Sequence, residues 1–502
     1  MELFLGIDIG TTHMKVCAVR PDGSVCHTVL RDQSVRELPG WGRCFRAEEL
    51  WEKTEDCLKE LFSQIDRKQI RAIGITSMAE AGVAVDADGV PLTPVVPWNA
   101  GQGGPEEADF PASLRGFSLY RKTGLIWHRK YTINQLLSLK TSRPELFERM
   151  DCFLSVSDYL FFRLTGERRT EESLACRTML YNIFEGQWDS ELTAFAGVTG
   201  KMPPVGKGST GWPILKKELA SRYGLPDKIS VRIGGHDHLC AARAEGLGEG
   251  DVLNSMGTSE VYLGFPDRLP ELSGLYERGI QLGVFQGRFY WICNMPSSGA
   301  SVEWLRSFLQ AAGGQVSYES LMKQERQVPS KVMYLPFVNG GGTHRKKMIP
   351  GGLLGLDMTT GPMDAAQGIY EGIACEARVI LELIEDAGLH ADRLIAAGGG
   401  TRNPLLMQAK ADMTGRCFIL SQQTQATAAG AAMLAAEAVK ETKCPGDFSG
   451  EGSRKEADIE RKTAAPRKEY GEACLAKYKT YLALTEAAAR EGTKERQEFL
   501  WN

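Results

Sequence analysis

The chain opens with an apolar block, Leu3–Ile9, interrupted by one carboxylate at Asp8. Gly10-Thr11-Thr12 follows, then a second apolar block at Met14–Val19 and a turn at Asp22-Gly23. Strand, glycine, strand predicts a β-hairpin with a glycine tip. From Ala47 to Gln64 the period changes. Leu50, Trp51, Cys57, Leu58, Leu61 and Phe62 recur near helical spacing and predict a helix. Arg71–Thr76 reads as a short buried strand, and Gly82–Val85 as another, running into a hairpin at Asp86-Ala87-Asp88-Gly89. Helices are predicted near Thr132–Leu139 and Ser157–Leu164, the second stopped by Gly166.

A glycine-rich run, Gly246-Leu247-Gly248-Glu249-Gly250, suits a crossover between domains. Directly after it, Val252–Leu263 repeats the opening pattern: strand, Gly257-Thr258-Ser259, strand. We read one structural unit used twice, half the chain apart. A third pattern is a buried strand at Leu394–Ala397, the turn Gly398-Gly399-Gly400, and a helix Pro404–Thr414 with proline in its first turn. The helix Thr427–Val439 is rich in alanine and carries Gly430, so close packing against a neighbour is expected. Residues 441–465 are polar, and Lys468–Glu491 predicts an amphipathic final helix. The expected domains are 1–246, 247–440 and a C-terminal piece, 441–502, packed on the second.

Composition narrows the function classes. The chain has 502 residues, 43% of them hydrophobic and 24% charged, as in an ordinary soluble protein. Its net charge of −4, from 59 basic and 63 acidic residues, argues against nucleic acid as the main partner. No apolar stretch is long enough to span a membrane, and the N-terminus reads as a buried strand rather than a signal peptide. Glycine stands out at 55 residues, clustered in short runs that suggest phosphate loops. The 12 cysteines are scattered without C-x-x-C spacing, so a zinc cluster or redox pair is not expected. They read as reduced thiols in a cytoplasmic protein.

Two Gly-Thr hairpins and a triple-glycine turn have the ingredients to hold a polyphosphate, with backbone N–H groups and threonine hydroxyls as donors. Asp8 is placed to hold Mg²⁺ against such phosphates, and Lys15 to reach them as a point charge. There is no G-x-x-x-x-G-K-[ST] and no G-x-G-x-x-G after a strand, so neither a P-loop enzyme nor a dinucleotide dehydrogenase is supported. Asp237 lies between His236 and His238 after the strand Ser230–Ile233. It reads equally as a general base facing a cleft or as a helix cap. His236 and His238 read as polar neighbours of that aspartate.

These motifs, in this order, resemble the FGGY carbohydrate kinases. Gly6-Ile7-Asp8-Ile9-Gly10-Thr11-Thr12 resembles the family's first phosphate motif, and Ser255-Met256-Gly257-Thr258-Ser259 its second. Gly234-Gly235-His236-Asp237 resembles the segment with the catalytic aspartate, and Gly398-Gly399-Gly400 with Asn403 the adenosine motif. Arg163–Glu167 and Trp188-Asp189 resemble further landmarks. The resemblance spans roughly residues 3–440. It implies an α/β fold of two actin/hexokinase-like (ribonuclease H-like) ATPase domains with an interdomain cleft. The first would bind sugar and one phosphate motif, the second the nucleotide. It also implies ATP and Mg²⁺ as cofactors, metal at Asp8 and Asp237, a small ketose or polyol as acceptor, and Asp237 as the base.

The chain departs from the family at the acceptor. Glu80 stands where the family has the His of Gln-Met-His, and a carboxylate there can read hydroxyls. Trp-x-Asp-x-Arg becomes Trp98-Asn99-Ala100-Gly101-Gln102. Trp98 remains to stack on a carbon skeleton, with Asn99 or Gln102 as substitutes for the missing pair. A sugar acid is disfavoured on this reading, because Glu80 would repel its carboxylate. His236 is a second candidate substrate contact. Arg345, in a glycine-rich stretch, reads equally as a phosphate contact or a surface loop residue. The rival to a kinase is a non-catalytic or actin/chaperone-like ATP-binding switch of the same fold. A homodimer is compatible with either.

Overall fold

The computed structural model describes residues 2–100, 104–208, 211–323, 328–345, 349–439 and 462–491. The chain folds as two compact units. The first takes the chain up to Gly246, Leu282–Tyr290 and the stretch beginning at Gln425. The second takes Leu247–Gln281, Trp291–Thr424 and the C-terminal residues.

The first unit is built on five strands. β1 (Leu3–Ile9), β2 (His13–Val19) and β3 (Val25–Asp32) form an antiparallel meander. β1 also pairs in parallel with β4 (Ile70–Ser77), and β4 with β5 (Ser230–His236). The order is β5-β4-β1-β2-β3. Alternation sorts β1 into two faces. Leu5, Ile7 and Ile9 enter one core, against Leu50, Leu58 and Leu61 of α1 (Ala47–Gln64). Phe4 enters a second core on the opposite face, and Gly6 and Asp8 share its parity.

That second face meets α2 (Asp237–Ala244) and the Ala-rich helix Ala426–Val439. The approach is close enough to exclude side chains. A Cβ at Gly6 would fall 1.9 Å from the carbonyl of Ala428, and one at Gly74 would fall 1.9 Å from that of Ala431. Arg243 locks the far end, donating from Nε to Glu437 at 2.9 Å. The close packing predicted for this helix is thus present, but its partner is the first unit's sheet rather than the second's. Composition shows that a helix is small-sided; it does not show which sheet carries the matching glycines.

The second unit repeats the plan. β6 (Asp251–Met256) and β7 (Glu260–Gly264) form an antiparallel hairpin, and β8 (Arg288–Met295) pairs antiparallel with β7. β9 (Arg393–Ala397) and β10 (Phe418–Leu420) add in parallel. This sheet has seven strands, and its inner run β8-β7-β6-β9-β10 matches the first sheet's five, direction for direction, with one further strand at each edge. This agrees with one unit used twice. Behind the hairpin, Lys410 is fully buried, on Glu260, Asn254 and Tyr262. The C-terminal helix Gly471–Glu491 is anchored in the same unit by Lys477, which donates to the carbonyls of Ser330 at 2.8 Å and Val332 at 2.7 Å and pairs with Glu371. The stretch 441–461 lies outside the described residues. Every described cysteine is a free thiol, and Cys417 is exposed. Among the described residues no helix is long and apolar enough to cross a membrane.

Candidate active site

The three parallel strands of the first unit end side by side, and the candidate residues gather at those ends. In register, Lys15 of β2, Asp8 of β1, Thr76 of β4 and Gly235 of β5 form one row across the sheet. Asp8 is therefore two strands from Gly235, roughly 10 Å at ordinary strand spacing. The carboxyl ends of parallel strands are where ligands of α/β folds bind.

Gly235 has φ 109°, a backbone state that side chains disfavour, and it sits at a register shift in β5. A Cβ there would meet Glu171 and Ser173 at 2.5 Å. Ser173 supports the turn by accepting the amide of His236 at 2.9 Å while donating to Glu171. This geometry delivers His236 as the cap residue and Asp237 as the first residue of α2. Asp237 Oδ1 accepts the amide of His238 at 2.7 Å and lies 3.1 Å from His236 Nε2. Its Oδ2 takes no hydrogen bond from the described residues, and the side chain is 25% exposed. Burial pushes the carboxyl above its usual range, with the charge and amide of His238 opposing. His236 is buried, and burial together with the nearby His238, Arg177 and Lys130 charges keeps its imidazole neutral.

Asp8 is buried as well. Burial raises its carboxyl to about 7, Lys15 opposes, and the charge of Asp237 adds to the rise. A buried carboxylate raised by a neighbouring carboxylate has the makings of a divalent-cation ligand. Gly10 closes the hairpin by donating to the His13 carbonyl at 3.0 Å. Thr12 is exposed at the tip, and Thr11 and Lys15 are half-buried.

Glu80 follows the end of β4 with φ 62°, and its carbonyl is held by Gln135 at 2.9 Å. All of its side-chain contacts fall on Oε1. Arg177 donates from Nε at 2.9 Å and Nη2 at 2.5 Å, and the Lys130 ammonium lies 3.6 Å away. Burial opposes ionisation, but the two cations outweigh it and hold the carboxyl below its usual range. Sequence reasoning missed Arg177 and Lys130 entirely. No motif marks them, and only the fold brings position 177 to position 80. Trp98 is exposed, without a ring contact or hydrogen bond to the described residues. Gln102 lies outside the described residues.

In the second unit the two glycine turns meet at Met256. The β6–β7 turn is closed by Gly257 donating to Ser259 at 2.9 Å. Helix α3 (Gly299–Ala311) docks on it through Gly299 to Gly257 at 3.2 Å and Ala300 to Thr258 at 2.9 Å. Thr258 is exposed and Ser259 half-buried. Gly398 has φ 97°, and a Cβ there would fall 2.4 Å from the Met256 carbonyl. Gly399 has open space around it, and Gly400 lies against the Met256 side chain. Asn403 caps α4 (Pro404–Thr414), accepting the amides of Leu405 and Leu406 at 3.1 Å, so its oxygen is committed to the helix. Arg345 is neither a phosphate contact nor a loose surface residue. It donates from Nε to Glu376 at 2.8 Å in a largely buried ion pair.

Comparison with known proteins gives a consistent result. The N-terminal domain of the FGGY family of carbohydrate kinases matches residues 3–243, and the C-terminal domain of that family matches residues 252–439. A xylulose kinase of Bacillus subtilis is 29% identical over 451 residues, 87% of this chain and 88% of the relative. A glycerol kinase of Thermococcus kodakarensis is 28% identical over 452 residues, 88% and 89% of the two chains. The crystal structure of a xylulose kinase from Rhodospirillum rubrum superposes with a TM-score of 0.83 at 23% identity, covering 97% of this chain and 99% of the other.

Proposed function

The chain belongs to the FGGY family of carbohydrate kinases, and from that premise we propose that it transfers the γ-phosphoryl group of ATP to a hydroxyl of a small ketose or polyol, with Asp237 as the general base. The fold is the two-domain, actin/hexokinase-like α/β fold, and members of the family are phosphotransferases. The observation that carries the reading is Asp237 itself: a carboxylate at the end of a parallel strand, with Oδ2 free of partners among the described residues and two imidazoles beside it.

Asp237 Oδ2 accepts the acceptor's hydroxyl proton as that oxygen bonds to the γ-phosphorus. The bond from that phosphorus to the β–γ bridging oxygen breaks, and ADP leaves with its electron pair. His236, with Nε2 3.1 Å from Oδ1, and the His238 amide, which donates to the same oxygen, leave Oδ2 as the face turned to the acceptor. Glu80 Oε2, which has no hydrogen bond among the described residues, reads a second hydroxyl. Gly10, Thr11, Thr12 and Lys15 in the first unit are the proposed phosphate contacts. Within the second unit, Gly257, Thr258 and Ser259 are the proposed phosphate contacts and Gly398–Gly400 the nucleoside turn. Mg²⁺ would be held by Asp8 and Asp237 and would offset charge on the phosphates.

The test is Asp237→Asn. ADP release stimulated by ketoses and alditols is expected to fall by about 10³-fold or more, near the upper range for a general base, while ATP binding persists. Near-normal turnover in that variant would remove the assignment. Because the Asp237 carboxyl is raised, wild-type kcat should decline as pH falls and this base takes up its proton.

A further inference from the structure

Two cations serve one carboxylate beside the base. Arg177 already saturates Glu80 Oε1 with two N–H donors, and its Nη1 is buried with no hydrogen-bond partner. Lys130 Nζ is 3.6 Å from the same oxygen, inside ion-pair range but beyond a hydrogen bond, and no other acceptor reaches it among the described residues. Its side chain is 15% exposed. The nearby His128 imidazole adds no compensating charge. Burial and the Lys130 charge hold His128 neutral, at about 4. The Glu80 end of the site therefore carries one surplus positive charge, while the other end carries the basic carboxylate of Asp237. Glu80 lies three residues beyond Ser77, which is in register with His236, the residue before Asp237, so the two ends stand at neighbouring strand ends.

We propose that the acceptor is a sugar acid, a polyhydroxylated carboxylate whose anionic end sits on Lys130 while a hydroxyl meets Asp237. This rests on Asp237 being the base. It reverses the expectation from sequence: Glu80 does not repel a carboxylate, because Arg177 has neutralised it. One surplus charge matches a carboxylate; a phosphate monoester would bring nearly two negative charges to a single uncompensated cation. A partly buried ammonium whose partner carboxylate is shared with a guanidinium stays under-compensated until a second anion reaches it. A neutral alditol leaves that cost in place.

The experiment measures ADP release by the full chain with Mg·ATP and matched acceptor pairs of equal carbon number and configuration, one an aldonate and one the corresponding alditol, with ketoses alongside. A charge-assisted contact predicts an aldonate preference in kcat/KM of ~10–100-fold. Lys130→Gln is expected to erase most of that preference, chiefly through KM for the aldonate, and Lys130→Arg to keep it. Thermal shift with the aldonate alone gives a second readout, a stabilisation that Lys130→Gln removes. Faster turnover of alditols or ketoses than of every aldonate would overturn the inference and leave the kinase reading standing. A preference unchanged in Lys130→Gln would also overturn it. ADP release stimulated by no acceptor of either kind would overturn both.

Discussion

Gly430 sits at the tightest contact between the Ala-rich helix Ala426–Val439 and α2: a Cβ built there falls 1.7 Å from the Cys240 carbonyl oxygen. Gly430→Ala sets two effects against each other. In an isolated helix alanine is favoured over glycine by about 1 kcal/mol. Here the obstructing atom is backbone, which cannot swing aside, so the contact must open from 1.7 Å to 3.0 Å or beyond. A gap of about 0.5–1 Å already forfeits a quarter to a half of each dispersion contact along an interface. Overpacking of a well-filled core costs about 1–3 kcal/mol, and a backbone clash of this depth belongs at the upper end. The net destabilisation is then about 2 kcal/mol, or roughly 4–8 °C in melting temperature for a unit of this size. Function should suffer separately, because α2 begins with Asp237. A displacement near 1 Å at a reacting group can lower kcat by ~100-fold. Thermal unfolding and ADP release on the same preparation read both effects. Gly471→Ala is the control, since nothing lies within 4 Å of its Cβ position. A Gly430→Ala protein that melts at or above the wild-type temperature with full kcat would refute the reasoning.

Two further predictions concern buried charge. Asp8 is raised from 3.8 to about 7, so its contribution to stability is full below pH 3.8 and is lost as pH rises through 7; Asp8→Asn should therefore melt higher than wild type at pH 8, by an effect on the order of 4 kcal/mol, show no such gain at pH 4, and lose activity. Lys477→Met strands Glu371 as a buried carboxylate without its cation, at a cost of about 3–5 kcal/mol. The double variant Lys477→Met/Glu371→Leu should recover most of it, as read by the urea midpoint.

Much of the frame was legible in the chain. The predicted helix Ala47–Gln64 has those bounds, and the predicted strand Leu3–Ile9 is β1. The recurrence of strand, Gly-Thr, strand anticipated two sheets that share a five-strand order. Such features are local: periodicity, a glycine tip and a cap depend on residues a few positions apart. Boundaries set by neighbours were less legible. The helix foreseen at Lys468–Glu491 becomes α-helical only from Gly471, and that at Thr132–Leu139 continues to Ser142.

The chemistry divides along the same line. Sequence alone determined which residue types stand at the strand ends, because Asp8, Gly10, Asp237 and the Gly257 and Gly398 turns sit within short patterns whose backbone geometry is local. Tertiary structure decided what surrounds them. Arg177 and Lys130 reach Glu80 across 97 and 50 positions of chain and set two cations on one carboxylate that sequence left alone. Glu437 meets Arg243 across 194 positions and so commits the Ala-rich helix to the first sheet. Charge balance in a buried site is a sum over whatever the fold brings within a few ångströms, and at low dielectric one added cation changes its sign. No linear pattern carries that sum.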